Sequence, residues 1–88
     1  MRDWNMSEIK NPAELNRQQL IDLANEHITL YDSMIRSGNP NVRVSECRKL
    51  VRVWKAVAQA AFDGLTYKDM EPWPAMRQEI WDAWAESQ

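Results

Sequence analysis

The chain has 88 residues, of which 44% are apolar and 27% charged, and its net charge is −2. This size and composition are typical of one globular domain. Two glycines and four prolines exclude a low-complexity chain, and the single cysteine, Cys47, excludes an internal disulfide. No apolar run approaches the ~20 residues that a membrane-spanning helix needs.

The beginning of the chain, MRDWNMSEIK, lacks the apolar segment of a secretory signal peptide. A single cysteine is consistent with a reducing compartment, in which thiols remain free. We therefore expect a cytoplasmic protein.

Charge and tryptophan are unevenly distributed. Residues 1–35 carry a net charge of −3, residues 36–62 carry +5 and residues 63–88 carry −4, so a basic middle lies between two acidic ends. Three of the five tryptophans, Trp73, Trp81 and Trp84, lie near the end of the chain. Because each tryptophan side chain covers ~150–250 Å², these residues must dominate either the core or an interface of so short a chain.

The first eleven residues show no periodicity, and we expect a loosely ordered N-terminus. The run Asn11-Pro12-Ala13-Glu14 favours a single helical turn. A helix over about 16–37 follows, because Asn16 and Gln19 have the spacing of a capping box and Leu15 and Leu20 that of a hydrophobic staple. Gly38 supplies its left-handed stop.

A second helix is predicted over about 40–63, with its start near Asn39-Pro40 or a few residues later. Its apolar residues recur with alternating spacings of 3 and 4, which is typical of a helix packed on a near-antiparallel partner: Val44, Cys47, Val51, Trp54, Ala58, Ala61 and Leu65. Phe62 and three further apolar residues widen this stripe. The run Asp63-Gly64-Leu65 predicts a Schellman motif at the helix end.

The third helix is predicted over about 74–86, because Pro74 suits the first turn of a helix. We expect Trp73, Met76, Ile80 and Trp84 to form its core side, with Trp81 nearer the edge. No stretch shows the sustained alternation of a strand. The sequence therefore predicts a single all-α domain, in which a short third helix packs across a long antiparallel hairpin to give a small helical bundle.

Candidate catalytic residues are few. His27 is the only histidine, and a pairing with Cys47 would lack the third group that orients a catalytic base. One histidine and one cysteine fall short of a metal ligand set, and both glycines fit helix ends better than a phosphate loop. Asp22 and Glu26 are four residues apart and fit a solvated helix face. We expect no enzyme activity, metal or cofactor.

The second helix carries a basic face. Arg48, Arg52 and Lys55 lie on one side of it, and Arg43 and Lys49 flank them. Such a row could contact nucleic-acid phosphates, or it could pair with an acidic partner or with the acidic first and third helices. The acidic overall charge favours a protein partner over nucleic acid.

The aromatic residues supply a second candidate surface. Tryptophan and arginine are enriched at the energetic centres of interfaces, so Arg77 and Trp81 are expected to form an exposed anchor, with Trp4 as a further candidate. The sequence thus favours a non-enzymatic protein-binding module, an accessory or inhibitor protein that occupies a partner's surface. Short tryptophan-rich chains of this kind are common in phages and mobile elements. A small nucleic-acid-binding protein is the alternative, and a homodimer is plausible.

Overall fold

The computed structural model describes residues 8–88. Within this part of the chain there are three α-helices and no strand. The first helix, α1, comprises Arg17–Arg36 and follows a short 3₁₀ turn at Pro12–Glu14. The second helix, α2, comprises Val44–Phe62. A second 3₁₀ turn at Tyr67–Met70 precedes the third helix, α3, which comprises Pro74–Glu86. The expectation of an all-α helical bundle is confirmed.

The start of α1 is fixed by the predicted capping box. The Asn16 side chain accepts a hydrogen bond from the Gln19 backbone N–H at 2.8 Å, and the Gln19 side chain accepts one from the Asn16 N–H at 2.9 Å. These two bonds satisfy backbone donors that a helix terminus otherwise leaves open. Leu15 and Leu20 are both buried, as a hydrophobic staple requires.

The helix α2 begins at Val44, a few residues after Pro40, which is the later of the two predicted starts. The connection forms a turn in which Asn39 accepts two hydrogen bonds, from the Asn41 N–H to its side chain and from the Val42 N–H to its carbonyl. Asparagine favours such local bonds over helix continuation. The short connection makes α1 and α2 an antiparallel hairpin, and these two helices pack extensively.

The C-terminus of α2 is the predicted Schellman motif. The Leu65 N–H donates to the Ala60 carbonyl and the Gly64 N–H to the Ala61 carbonyl, both at 3.0 Å. Gly64 has φ +95°, which side chains with a Cβ rarely adopt. The motif turns the chain sharply toward the second 3₁₀ turn, where Asp69 accepts hydrogen bonds from the Thr66 backbone and hydroxyl. These bonds, the backbone one above all, hold the pKa of Asp69 below its ordinary value.

Trp54 lies at the centre of the core and is fully buried. One cluster joins residues from all three helices, from the second short turn and from the segment between the first turn and α1: Leu15, Leu20, Leu23, Ala24, Trp54, Val57, Ala60, Ala61, Met70, Met76, Ile80 and Ala83. Trp84 is partly buried against this cluster, and its indole N–H donates to the Ile9 carbonyl at 2.9 Å. The contact between α3 and the hairpin is weaker than that between α1 and α2.

Three residues expected in the core are exposed. Trp73 is 47% exposed, Phe62 65% and Val44 37%. Val44 and Phe62 are the first and last residues of α2, where the neighbouring helix no longer covers the apolar stripe. Trp73 precedes α3 and lies at its edge, beyond the residues that face the hairpin. Phe62 is contacted instead by the Arg17 guanidinium, 5.5 Å from its ring centre.

No helix in the described part of the chain is both long and apolar enough to cross a membrane.

Candidate functional site

An apolar cleft lies between α2 and the segment that leads into α3. Its volume is about 660 Å³. One wall is the surface of α2, with Val53, Ala56 and Ala60, and the other is formed by Trp73, Pro74 and Met76. The α2 side of the cleft projects little, because Ala56 and Ala60 have small side chains. This apolar cleft is therefore bordered by an exposed tryptophan on one side and by a smooth helix surface on the other.

A second, more polar cleft adjoins the first at the beginning of α3. Its volume is about 430 Å³, and Tyr67, Arg77 and Trp81 line it together with Pro74, which borders both clefts. The Arg77 guanidinium lies over the Tyr67 ring, 4.4 Å from its centre. Its Nε is buried and makes no hydrogen bond to any described residue. Stacking of this kind holds the planar group in place at little entropic cost.

The structure brings together two of the three residues predicted for partner binding. Trp81 is 44% exposed and contacts the Trp84 ring, with ring centres 5.3 Å apart. Arg77 lines the same cleft. Trp4, the third residue, lies outside the described residues. The sequence analysis did not predict that Trp73 and Ala56 line an apolar cleft. The Pro-Trp-Pro run before α3 already indicated that this tryptophan is not helical.

The basic face of α2 is exposed to solvent. Lys49 pairs with Glu46 on the same helix at 3.7 Å. The other four residues make no ion pair with any residue in 8–88: Arg43, Arg48, Arg52 and Lys55. The acidic residues of α1 and α3 make no ion pair with these four side chains. Arg48 and Arg52 border a shallow depression, and Arg52 also borders the apolar cleft. Asp32 of α1 lies in the same depression, and it pairs with Arg36 on its own helix at 3.2 Å.

A small polar cavity of about 210 Å³ lies where the three helices meet. The His27 ring stacks on Trp54 with ring centres 4.4 Å apart, and its Nδ1 is 2.9 Å from the Leu23 carbonyl. His27 thus lies on a buried indole. Glu79 and Tyr31 also line the cavity. The sequence did not anticipate this grouping, because residues from three helices contribute to it.

Burial raises the pKa of Glu79 above its ordinary value, and the nearby Asp82 carboxylate adds to the effect. His27 and the Trp54 indole N–H act in the opposite direction. The Trp54 Nε1 is buried and makes no hydrogen bond of ordinary geometry to any described residue. Burial likewise raises the pKa of Tyr31, with Glu79 as the next cause. Burial and neighbouring charges thus account for both pKa shifts. The described residues that line the cavity do not include a nucleophile next to a base and a group that orients the base.

Within residues 8–88, no three histidine, cysteine, aspartate or glutamate side chains are arranged to hold a metal ion. Cys47 is buried in the helical hairpin and has no disulfide partner. In this setting a cysteine packs as a small apolar residue.

No protein-family model, curated protein or solved structure matches the chain.

Proposed function

We propose that the chain is a non-enzymatic protein-binding module that acts by occupying a partner's surface. The observation that carries this proposal is the pair of half-exposed tryptophans, Trp73 and Trp81, beside two adjoining clefts. Exposed aromatic residues around a concave apolar surface mark interaction sites in small proteins. An accessory or inhibitor protein, such as phages and mobile elements encode, is the kind of molecule that this surface suits.

The partner-facing residues fall into two groups. Trp73 borders the apolar cleft, whereas Arg77 and Trp81 line the polar one. In the stacked position over Tyr67, the Arg77 guanidinium keeps donors available for a carboxylate or a carbonyl of the partner. A tryptophan anchor beside such a donor is a frequent arrangement at the centre of a protein interface.

The proposal is tested by affinity capture from an extract of the organism that encodes the chain. Wild-type protein is compared with a variant that carries Trp73→Ala and Trp81→Ala, and with the control Leu30→Ser, which changes an exposed apolar residue on α1. We expect proteins that the wild type and the control retain and the double variant loses. Capture of the same proteins by all three would contradict the proposal.

A second candidate function is nucleic-acid binding through the basic face of α2. It is favoured because Arg43, Arg48, Arg52 and Lys55 make no ion pair with any residue from 8 to 88. Binding of this kind weakens steeply with salt. Retention of a labelled DNA duplex is measured with Arg48→Glu plus Arg52→Glu, and with the charge-matched control Lys10→Glu plus Lys68→Glu. Loss in the first variant alone supports this function, and equal retention by both eliminates it.

Self-association is a third arrangement that the exposed apolar residues allow. Sedimentation analysis over a range of protein concentrations tests it directly. A mass that rises with concentration supports a homodimer, and a constant monomer mass excludes one.

A further inference from the structure

The apolar cleft has the length of a short helix. Its α2 wall extends from Arg52 at one end to Asp63 at the other. These two residues are eleven helical steps apart, and at 1.5 Å per step the wall is ~16 Å long, which matches about three turns of a helix laid alongside it. Because Ala56 is exposed and Ala60 is small, the side chains of such a helix could enter the cleft without displacing any side chain of α2.

The two ends of the cleft differ in charge. Arg52 borders one end and makes no ion pair with any described residue, and Arg48 and Lys55 lie on the same face of α2. Asp63 borders the other end, where it accepts a hydrogen bond from the Gln59 side chain at 3.2 Å. The field along the cleft is therefore positive at the Arg52 end.

We infer that the apolar cleft binds a short amphipathic helix of a partner protein, with apolar residues that contact Trp73, Val53 and Met76 and with carboxylates at the end that meets Arg52. This inference rests on the proposed protein-binding function and specifies the chemistry of the partner. Helix binding in an apolar groove is an established recognition mode, and the charges at its ends fix direction and specificity.

A nucleic acid accounts for less of this surface. A phosphate backbone would neutralise the arginines, but it would leave the apolar floor at Val53 and Ala60 in contact with water. An acidic amphipathic helix accounts for both the apolar floor and the unpaired charge beside it.

The probe is a phage-displayed library of random helical peptides of three to four turns, selected on the immobilised full-length protein. We expect enriched peptides to share bulky apolar residues at i, i+3 or i+4, and i+7, with Asp and Glu concentrated toward one end. Enrichment of basic or uncharged peptides, or of no peptide, would overturn the inference.

The most enriched peptide is then synthesised, and its binding is measured by fluorescence anisotropy. Ala56→Glu puts a carboxylate into the cleft, and Arg52→Glu reverses the charge at its end. Each should weaken binding by about tenfold or more. The matched controls Ala85→Glu, on exposed α3 surface, and Arg43→Glu, at the α2 N-cap, should stay within about twofold.

Ala56→Gln is a further variant, because it narrows the cleft without a charge, and circular dichroism verifies that every variant is folded. If Ala56→Glu and Ala56→Gln bind as the wild type does, the peptide lies elsewhere and the inference fails. Sensitivity to Arg52→Glu alone would indicate a contact with the basic face only, as for nucleic acid, and would also overturn it.

The two proposals fail in different ways. Suppose that the captured proteins require Trp73 and Trp81 but bind the Ala56→Glu and Arg52→Glu variants normally. The protein-binding function would then stand, and the inference that the cleft binds a helix would be refuted. A concentration-dependent dimer that Ala56→Glu abolishes would instead make a second copy of the chain the occupant of the cleft.

Discussion

At the scale of single residues, the most constrained position is Trp54. Its side chain is fully buried, the His27 ring stacks on one face of it, and its N–H lies toward Glu79. The indole therefore joins the apolar core to the polar cavity at the meeting point of the three helices. Such a residue contributes by the area it buries and by the polar groups it keeps in place.

Trp54→Ala tests this role. Removal of a fully buried indole should lower the free energy of unfolding by ~3–5 kcal/mol, which is a large part of the total for a small domain. Trp81→Ala is the matched control, because this tryptophan is 44% exposed and its loss should cost about 1 kcal/mol or less. Urea denaturation followed by circular dichroism measures both. Equal losses in the two variants would contradict the central position of Trp54.

Glu79 predicts a pH dependence of stability. Its pKa is raised in the folded protein from an ordinary 4.5, chiefly by burial, so the folded state holds this proton to higher pH than the unfolded state does. Stability from this group is present below its unfolded pKa and is lost as the pH rises through the folded pKa. Glu79→Gln should therefore be more stable than the wild type at neutral pH and similar to it in acid.

Urea midpoints measured from about pH 4 to about pH 8 test this expectation. The control is Glu71→Gln, which changes an exposed carboxyl just before α3. A difference between Glu79→Gln and the wild type that does not vary with pH would show that the carboxyl acts through its shape rather than its charge.

At the scale of elements, the start of α1 and the end of α2 are each set by a few local bonds. The capping box at Asn16 begins α1, and the Schellman motif at Gly64 ends α2. These devices work over four or five residues and need no tertiary contact, which explains why the sequence predicted both. The sequence left two starts for α2 open, near Pro40 or a few residues later. The later one holds, because Asn39 accepts hydrogen bonds from the following backbone and Pro40 therefore does not begin the helix.

Gly64→Ala should lower the free energy of unfolding by ~1–2 kcal/mol, because φ at this position is +95°. Nothing lies within 4 Å of an added Cβ, so the whole cost comes from the backbone conformation. Gly64→Asn is the matched comparison and should cost less, since asparagine tolerates left-handed backbone better than alanine does. Thermal or chemical denaturation distinguishes the two, and a larger loss for asparagine would refute this explanation.

At the scale of the whole molecule, the extensive contact between α1 and α2 contrasts with the weaker contact of α3. The proposed binding surface lies along the weaker boundary, where α3 begins. Regions with fewer packed contacts open at lower free energy than the central core. The candidate interface is therefore on the part of the fold that adjusts most readily to a partner.

Hydrogen exchange under native conditions tests this difference. Backbone amides in the middle of α3, from residue 78 to residue 84, should exchange faster than those of α2 from residue 54 to residue 60. Both segments are helical, so the comparison isolates the effect of packing. Equal protection in α2 and α3 would show that the three helices open together.

The sequence by itself determined the fold class and the approximate helix limits, and it placed Trp81 near the edge of α3, whereas the 44% exposure of Trp81 was decided by the tertiary structure. Hydrophobic spacing and capping residues carry this information, because they act between residues that are near one another in the chain. Only the tertiary structure decided that Trp73 and Phe62 are exposed, that the basic face makes no pairs with α1 or α3, and that His27 lies on Trp54. The face of a helix on which a residue lies follows from spacing within that helix. Whether the residue is buried depends on where distant elements pack. The apolar cleft exists because α3 covers only part of α2. The spacing of apolar residues within a single helix cannot predict this arrangement.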